Sequence, residues 1–491
     1  MSSTVTVPTP RDALHHPAAR SLAARMRGVV IDAGSPGYDD ARAVWNGMFD
    51  RRPAVIARPV DAADAAEAVV VAAAHGLPLA VRGGGHHVAG LATDDGALVI
   101  DLRDLRNVEV DAATRVARVG GGATWADVDA ATAPHALAAA GGLVSETGVA
   151  GLTLSGGMGW LRRRVGLSCD NLLAAEVVLS DGRIVVCDED RHPDLYWALR
   201  GGGGNFGVVT RFDLRLHPLP TEVDVAFTLY PLEDAARVVA GVLEGVAGLP
   251  DGIAPLFVFG RAPEAAPFPP SVQGRAYVAV LALNGEAEPS AGEAALTRLR
   301  ALAAPLADVG GRMPYVEAQR MLDADYPAGG RYYWTSASLT GLDGPAVAEI
   351  VRRIEAMPAG HSTIDVWVQG GAIARVPVGA TAYADRSAPL LLNVEANWHH
   401  PADDDRYVAW ARTSLAALAP WHTGAGYLNF PGLMEDPASR VRRAFGPNYE
   451  RLARVKAAYD PDNAFRRNQN VTPRVDPVVA DAAEGVRRDP A

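Results

Sequence analysis

The sequence predicts an α+β chain built in two parts, and three observations carry that prediction. Short β-rich runs alternate with amphipathic helical stretches from residue 54 to 212, and beyond Pro218 the texture changes to long alternating strands separated by helices. Glycine clusters sit at the loop tips of the first part. At 491 residues, 49% hydrophobic and 21% charged, the chain is long enough to bury a substantial core in each part.

In chain order, AVIARPV reads as a strand and DAADAAEAVVVAAAHG as a helix with an acidic start, apolar positions at helical spacing and a glycine stop. LPLAVRGGG is a second strand that runs into three glycines and two histidines, Gly83-Gly84-Gly85-His86-His87. LVIDL and ARVGGGAT are further short strands, and TWADVDAATAPHA is a helix with Thr124 as N-cap. EVVLSDGRIVVCD is a hairpin, because Asp181-Gly182 between β-branched runs is a two-residue turn signal. DLYWALRGGG is a helix ended by glycines, and NFGVVTRFDLRL is a strand. From HPLPTEVDVAFTLYPL onward, the strands YVAVLALNG, STIDVWVQGGAIARV and APLLLNVEANW are separated by helices such as PSAGEAALTRLRAL and GPAVAEIVRRIEAM. That pattern is an antiparallel sheet covered by helices on one face. NYERLARVKAAYDPDNAFRRNQNV is a helix stopped at Asp460-Pro461-Asp462-Asn463, then an extended run that must pack on something already built.

Composition excludes several functions. A net charge of −11, without a Lys/Arg stripe, argues against nucleic acid or an anionic membrane as partner. The densest basic run, Arg162-Arg163-Arg164, reads as a solvated loop as readily as a ligand site. Two cysteines, Cys169 and Cys187, are too few for a disulfide framework and lack metal-site spacing, so no metal is expected and a reducing cytoplasm fits. The N-terminus has no apolar signal-peptide core, and no run of 18 apolar residues follows, so no membrane span is expected.

The functional signal concentrates in four glycine loops: RGGGHH, GGGAT, GVAGLTLSGGMGW and RGGGGNFG. The last contains G-x-G-x-x-G at Gly202, Gly204 and Gly207, but with a helix before it and a strand after, the reverse of a dinucleotide-binding Rossmann turn. Taken together, the loops suit a diphosphate cradled by backbone N–H groups rather than by lysines.

The series AVRGGGHH, GVAGLTLSGGMGW, RVGLSCDNLLAAEVVLSDGR, DLYWALRGGGGNFGVVTRF and YDPDNAFRRNQN resembles, in order and over nearly the whole chain, the vanillyl-alcohol-oxidase-type FAD-binding fold in its berberine-bridge-enzyme-like branch. The resemblance implies an FAD-binding domain over residues 1–218, with 1–28 flexible, and a substrate domain over 219–420. It further implies a C-terminal segment over 421–475 that returns to the FAD domain, followed by a disordered tail over 476–491. It also implies that the histidine after R-x-G-G, here His86, is joined to the flavin 8α-methyl carbon. His87 is expected to make a polar contact instead. Many relatives carry a second, cysteine link, and here Val144 stands at that position, so attachment is expected to be single. Cys169 reads as a buried small hydrophobe.

The cofactor contacts expected from these motifs are Arg82, Gly83, Gly84, Gly85, His86, His87, Gly90, Thr147, Gly148, Gly151, Leu152, Gly156, Gly157, Gly159, Trp160, Asn171, Gly204, Gly207, Val208, Val209, Asn429, Asn468 and Gln469. The stretch from Val144 to Leu161 is especially similar to singly histidine-linked members such as the enterocin-pathway flavin oxygenase. Thr147 matches a threonine that helps position oxygen there; it equally caps a turn or hydrogen-bonds the flavin.

For substrate chemistry, the family's Y-x-N-[YF] stretch reads Tyr427-Leu428-Asn429-Phe430, leaving Tyr427 as the candidate phenol, with Gln369 and Thr147 as further catalytic candidates. Strand alternation sets Trp367 with Gln369, and Asn393 with Glu395 and Asn397; the expected pocket is Trp367, Gln369, Tyr332, Asn393 and Glu395. Three functions are open: an FAD oxidase of a small or polycyclic metabolite that passes a hydride to the flavin and electrons to O2, giving H2O2; an oxygenase working through an oxygenated flavin on a polyketide-type substrate; and a flavoprotein that sequesters a metabolite. A monomer or homodimer is expected.

Overall fold

The computed structural model describes residues 13–474 except 266, 359 and 432–436. The first part holds two main sheets, beside a two-stranded pairing of Leu137–Ala138 with His217–Pro218. In the smaller, strands Val29–Asp32, Val55–Arg58, Leu98–Asp101 and Leu79–Arg82 lie in that order, the first pair antiparallel and the rest parallel. The parallel pairing requires a crossover, which the helix Ala62–Ala74 supplies; Asp61 caps it by accepting from the Asp64 N–H at 3.0 Å. The second sheet is antiparallel, ordered Val108–Asp111, Val116–Gly120, Val208–Arg215, Leu172–Val178, Ile184–Cys187. The RGGGGNFG loop lies between the helix Pro193–Leu199 and the strand Val208–Arg215, the order that rules out a Rossmann turn.

The second part is one antiparallel sheet of eight strands. Its path runs Ala307–Asp308, Glu222–Pro231, Ala276–Leu283, Leu256–Arg261, Thr363–Val368, Leu390–Trp398, Arg331–Leu339, with Gly311–Pro314 also paired to Glu222–Pro231. Alternation divides its faces sharply. Ile364, Val366 and Val368, with Leu390, Leu392, Val394 and Ala396, pack beneath the helices Ala235–Gly245, Ser290–Leu299, Gly344–Glu355 and Asp404–Ala417. Asp365, Trp367, Asn393, Glu395 and Asn397 face the first part instead, and all five are buried.

Residues 449–474 close over the first part. The helix Tyr449–Tyr459 packs on Pro193–Leu199, and the fully buried Lys456 Nζ donates to the Asn205 and Phe465 carbonyls and to Asp460. Asn205 in turn donates to the Gln469 carbonyl and accepts from the Val471 N–H, so the glycine loop and the returning segment are held as one body.

Three expectations need correction. Residues 13–28, expected within a flexible lead, carry the helix Pro17–Ala23, whose Ala18, Ala19 and Leu22 are buried in the core around the smaller sheet; residues 1–12, and the tail expected over 476–491, lie outside the described residues. STIDVWVQGGAIARV is not one strand: it ends at Val368, and Gly370 and Gly371 adopt positive φ of 88° and 57° before a helical turn. The run Arg162-Arg163-Arg164 is not solvated. Arg162 donates to the carbonyls of Gly159, Ala254, Pro255 and Val368, Arg163 to Gln369, and Arg164 to Pro218 and Gly285, so the run fastens the first part to the second.

Candidate active site

A cavity of about 310 Å³ lies between the glycine loops of the first part and the inner face of the large sheet. Its first end is built from backbone. Gly84 and Gly148 meet so closely that a Cβ on Gly84 would lie 2.4 Å from the Gly148 nitrogen, and one on Gly148 would lie 2.3 Å from the Gly84 nitrogen. Gly151 and Gly204 open onto the cavity with nothing within 4 Å of where a Cβ would stand, so any side chain there would project into free space. Asn468 Oδ1 and Gln469 Oε1 are buried on the same wall with no hydrogen-bond partner among the described residues. Unpaired buried acceptors and side-chain-free backbone are what a bound ring with its own N–H donors and a diphosphate would use, so the residues fit an FAD.

The two histidines differ. Burial pushes both imidazoles down to about 4, so both are neutral at physiological pH. His87 is committed: Nδ1 accepts from the Ala89 N–H at 3.1 Å, and Nε2 lies 3.5 Å from Gln469 Nε2. His86 lines the cavity with no hydrogen-bond partner on either ring nitrogen among the described residues, and its ring is stacked on Trp45 at 4.9 Å. A neutral imidazole with an unengaged nitrogen is the form that acts as a nucleophile. Val144 also lines the cavity, while Cys169 is fully buried outside it, its thiol pushed up by burial.

The far end carries carboxyls among aromatic rings. Asp325, Asp365 and Glu395 line it with Tyr277, Tyr326, Trp334, Trp367 and Phe430. Glu395 accepts from the Tyr326 hydroxyl at 2.8 Å and from Asn393 Nδ2 at 2.6 Å. Burial raises both Asp365 and Glu395 above the usual carboxylate range, and the negative charge of Glu395 raises Asp365 further. Tyr427 stands between the two ends. Its oxygen accepts from the Gly157 N–H at 2.9 Å and from Asn429 Nδ2 at 2.8 Å, and burial keeps the phenol protonated, so its own O–H is left to donate. Residues 427–429 form a turn rather than a strand, and the turn still joins Tyr427 to Asn429.

Of the residues expected at the cofactor, Gly83, Gly84, Gly85, His86, His87, Thr147, Gly148, Gly151, Leu152, Gly204, Gly207, Val209, Asn429, Asn468 and Gln469 line the cavity. The others lie outside it. Arg82 is buried in an ion pair with Asp101 and donates to the Ala41 and Arg42 carbonyls; Asn171 donates to Val165 and Leu167; Trp160 and Val208 are core. Gly90 abuts the Phe49 ring, while Gly156, Gly157 and Gly159 turn the chain behind the wall, where a Cβ would strike Tyr383, Ser168 and the Gly141 carbonyl.

Among the expected substrate residues, Trp367 and Glu395 line the cavity. Gln369 does not, because the strand ends one residue earlier and the turn at Gly370 carries it away; its carbonyl accepts from Arg163. Asn393 sits behind Glu395, and Tyr332 behind Trp45, stacked on that indole at 3.9 Å. Sequence reasoning missed Asp365, although it shares the Trp367 strand face: an acid inside an otherwise apolar strand was the available signal. Asp325 and Tyr326 come from a loop that gave none. That loop is held by Asp323, which accepts from the Ser145 N–H at 2.8 Å and hydroxyl at 2.6 Å.

Comparison with known proteins agrees with this architecture. A family model described as an FAD binding domain matches residues 53–188, and one described as berberine and berberine like matches 426–472. The chain is 32% identical over 461 residues to (R)-6-hydroxynicotine oxidase of Paenarthrobacter nicotinovorans, covering 91% of this chain and 97% of that one. The crystal structure of 6-hydroxy-D-nicotine oxidase from Arthrobacter nicotinovorans superposes with a TM-score of 0.80 at 30% identity, over 91% of this chain and 98% of that one. An FAD-dependent monooxygenase of Fusarium proliferatum is 44% identical over 193 residues, 39% of this chain and 36% of its own length. No helix among the described residues is long and apolar enough to cross a membrane. A cavity that fits FAD, the two matched family models and the likeness to (R)-6-hydroxynicotine oxidase over 91% of this chain together show that the chain belongs to the berberine-bridge-enzyme-like branch of the vanillyl-alcohol-oxidase-type FAD-linked oxidoreductases.

Proposed function

We propose that the protein is an oxidase, with FAD linked through His86 alone, that takes a hydride from a small or polycyclic metabolite and passes the electrons to dioxygen, giving H2O2. The observation that carries this reading is one continuous cavity with the neutral, unpartnered His86 at one end and the buried Glu395–Asp365 carboxyl pair at the other. FAD, when bound, supplies the two-electron acceptor. The chain supplies the rest. Trp334, Trp367 and Phe430 offer flat apolar walls to an aromatic body, and Glu395, oriented by Tyr326 and Asn393, accepts the proton lost from a substrate hydroxyl or ammonium as the hydride departs. Tyr427 donates its free O–H to the substrate's polar atom and so orients it. Acidic groups in an aromatic pocket favour a substrate with a basic nitrogen, which the likeness to a 6-hydroxynicotine oxidase also supports.

A panel of aromatic amines and alcohols tests this by flavin bleaching without oxygen and by H2O2 release with it. One H2O2 per product is expected, with amines bleaching faster; binding without bleaching by every member would refute the reading. A second reading, an oxygenase, is favoured by Thr147 on the cavity wall and by the likeness to a monooxygenase over 39% of the chain. It predicts 18O from dioxygen in the product.

A further inference from the structure

His86 is oriented by packing rather than by hydrogen bonds. Neither ring nitrogen has a hydrogen-bond partner among the described residues, and the ring in contact with the imidazole is the Trp45 indole, 4.9 Å between centroids and 14° from parallel. The same indole carries Tyr332 at 3.9 Å and 7°, so His86, Trp45 and Tyr332 form one stack of near-parallel rings with Trp45 shared. Trp45 cannot swing freely. Its Nε1 donates to the Tyr326 carbonyl at 2.9 Å, its backbone N–H donates to the Gly85 carbonyl at 3.3 Å, and its carbonyl accepts from the Gly329 N–H at 2.8 Å. The next residue, Asn46, donates to the Val88 and Tyr332 carbonyls at 2.6 and 2.8 Å, tying both sides of the stack together.

We propose that Trp45 is a positioning residue for covalent flavin attachment, holding the His86 imidazole at the angle from which its free nitrogen meets the flavin's 8α-methyl carbon. The proposal rests on the His86 link put forward above. In that link an imidazole N–H bond and a methyl C–H bond break and an N–C bond forms. The two electrons and two protons released reduce the ring system, from which dioxygen removes them as H2O2. An imidazole free to rotate about two side-chain torsions presents its nitrogen only part of the time, so fixing the ring raises the effective concentration of the nucleophile. Because Tyr332 and the Tyr326 carbonyl belong to the second part of the chain, the stack forms only when that part is seated, which makes attachment a late step of assembly.

The test uses full-length chains made under riboflavin limitation and then given FAD: the parent, Trp45→Phe, Trp45→Leu and His86→Ala. Total bound flavin is measured before acid, and the fraction staying with the acid-precipitated polypeptide is followed over time. Stacking of this kind predicts that Trp45→Leu attaches roughly three- to tenfold more slowly than the parent at equal FAD occupancy, while Trp45→Phe, which keeps a ring, stays within about twofold. Equal rates for Trp45→Leu and Trp45→Phe, with no attachment in His86→Ala, would overturn the role of Trp45 and leave the His86 link standing. Attachment that persists in His86→Ala would overturn the link itself. If Trp45→Leu binds less FAD, rates at saturating FAD are compared, where a purely structural role moves occupancy and not the rate.

Discussion

Replacing Glu395 with Gln isolates the step for which the carboxyl pair is arranged. The amide has the volume of the acid and still accepts from the Tyr326 hydroxyl through its oxygen. Its new N–H would meet Asn393 Nδ2, but Asn393 Oδ1 is buried without a partner among the described residues and turns to accept it, so the pocket keeps its shape. What is lost is a base. General-base removal costs about 10²- to 10⁴-fold, or about 2.7–5.5 kcal/mol in barrier. The assay is the anaerobic rate of flavin bleaching by a turned-over amine or alcohol. Burial raises the folded carboxyl above its ordinary value and the ionised form is the active one, so the parent's rate rises with pH until the carboxyl is deprotonated and then levels off. The variant loses that rise. Bleaching by Glu395→Gln within about threefold of the parent, with the pH profile intact, would refute Glu395 as the proton acceptor.

Two further perturbations test the frame around the site. Burial raises Asp129 from 3.8 to about 7, with Gln319 as its hydrogen-bond donor, so the ionised form is penalised in the folded state: the penalty is absent below the unfolded value, grows between the two and is complete above 7. Asp129→Asn removes it and is expected to raise stability relative to the parent by up to about 4 kcal/mol at alkaline pH and by almost nothing in acid, as read by denaturant unfolding; an equal effect at both would contradict the assignment. Gly84→Ala drives a methyl against the Gly148 backbone and is expected to cost about 1–3 kcal/mol and lower flavin content, measured by the ratio of flavin to protein absorbance.

The sheet strands, the crossover helix and the glycine loops were legible because period, capping and turn chemistry are local. The inner face of the large sheet was legible in part: alternation grouped Trp367 with Gln369 and Asn393 with Glu395 without saying which face they share, and of these Trp367 and Glu395 line the cavity while Gln369 does not, because Gly370 and Gly371 turn the chain. Asp325 and Tyr326 reach the cavity from a loop whose place depends on Ser145–Asp323 and Trp45–Tyr326 hydrogen bonds across 178 and 281 residues, which no local pattern encodes. The Arg162–Arg164 run misled for the same reason: three arginines look solvated until the carbonyls that receive them are placed. The expectation of His86 over His87 came from the resemblance at R-x-G-G alone; what no local pattern encodes is that the His87 ring is already engaged, its Nδ1 accepting from the Ala89 N–H.

If His86 alone carries the flavin, acid precipitation of the polypeptide reveals it. The parent polypeptide is expected to stay yellow after acid and washing, with about one flavin per chain, and His86→Ala to come down colourless while His87→Ala stays yellow. A colourless parent, or a His86→Ala pellet that keeps its flavin, would contradict the account.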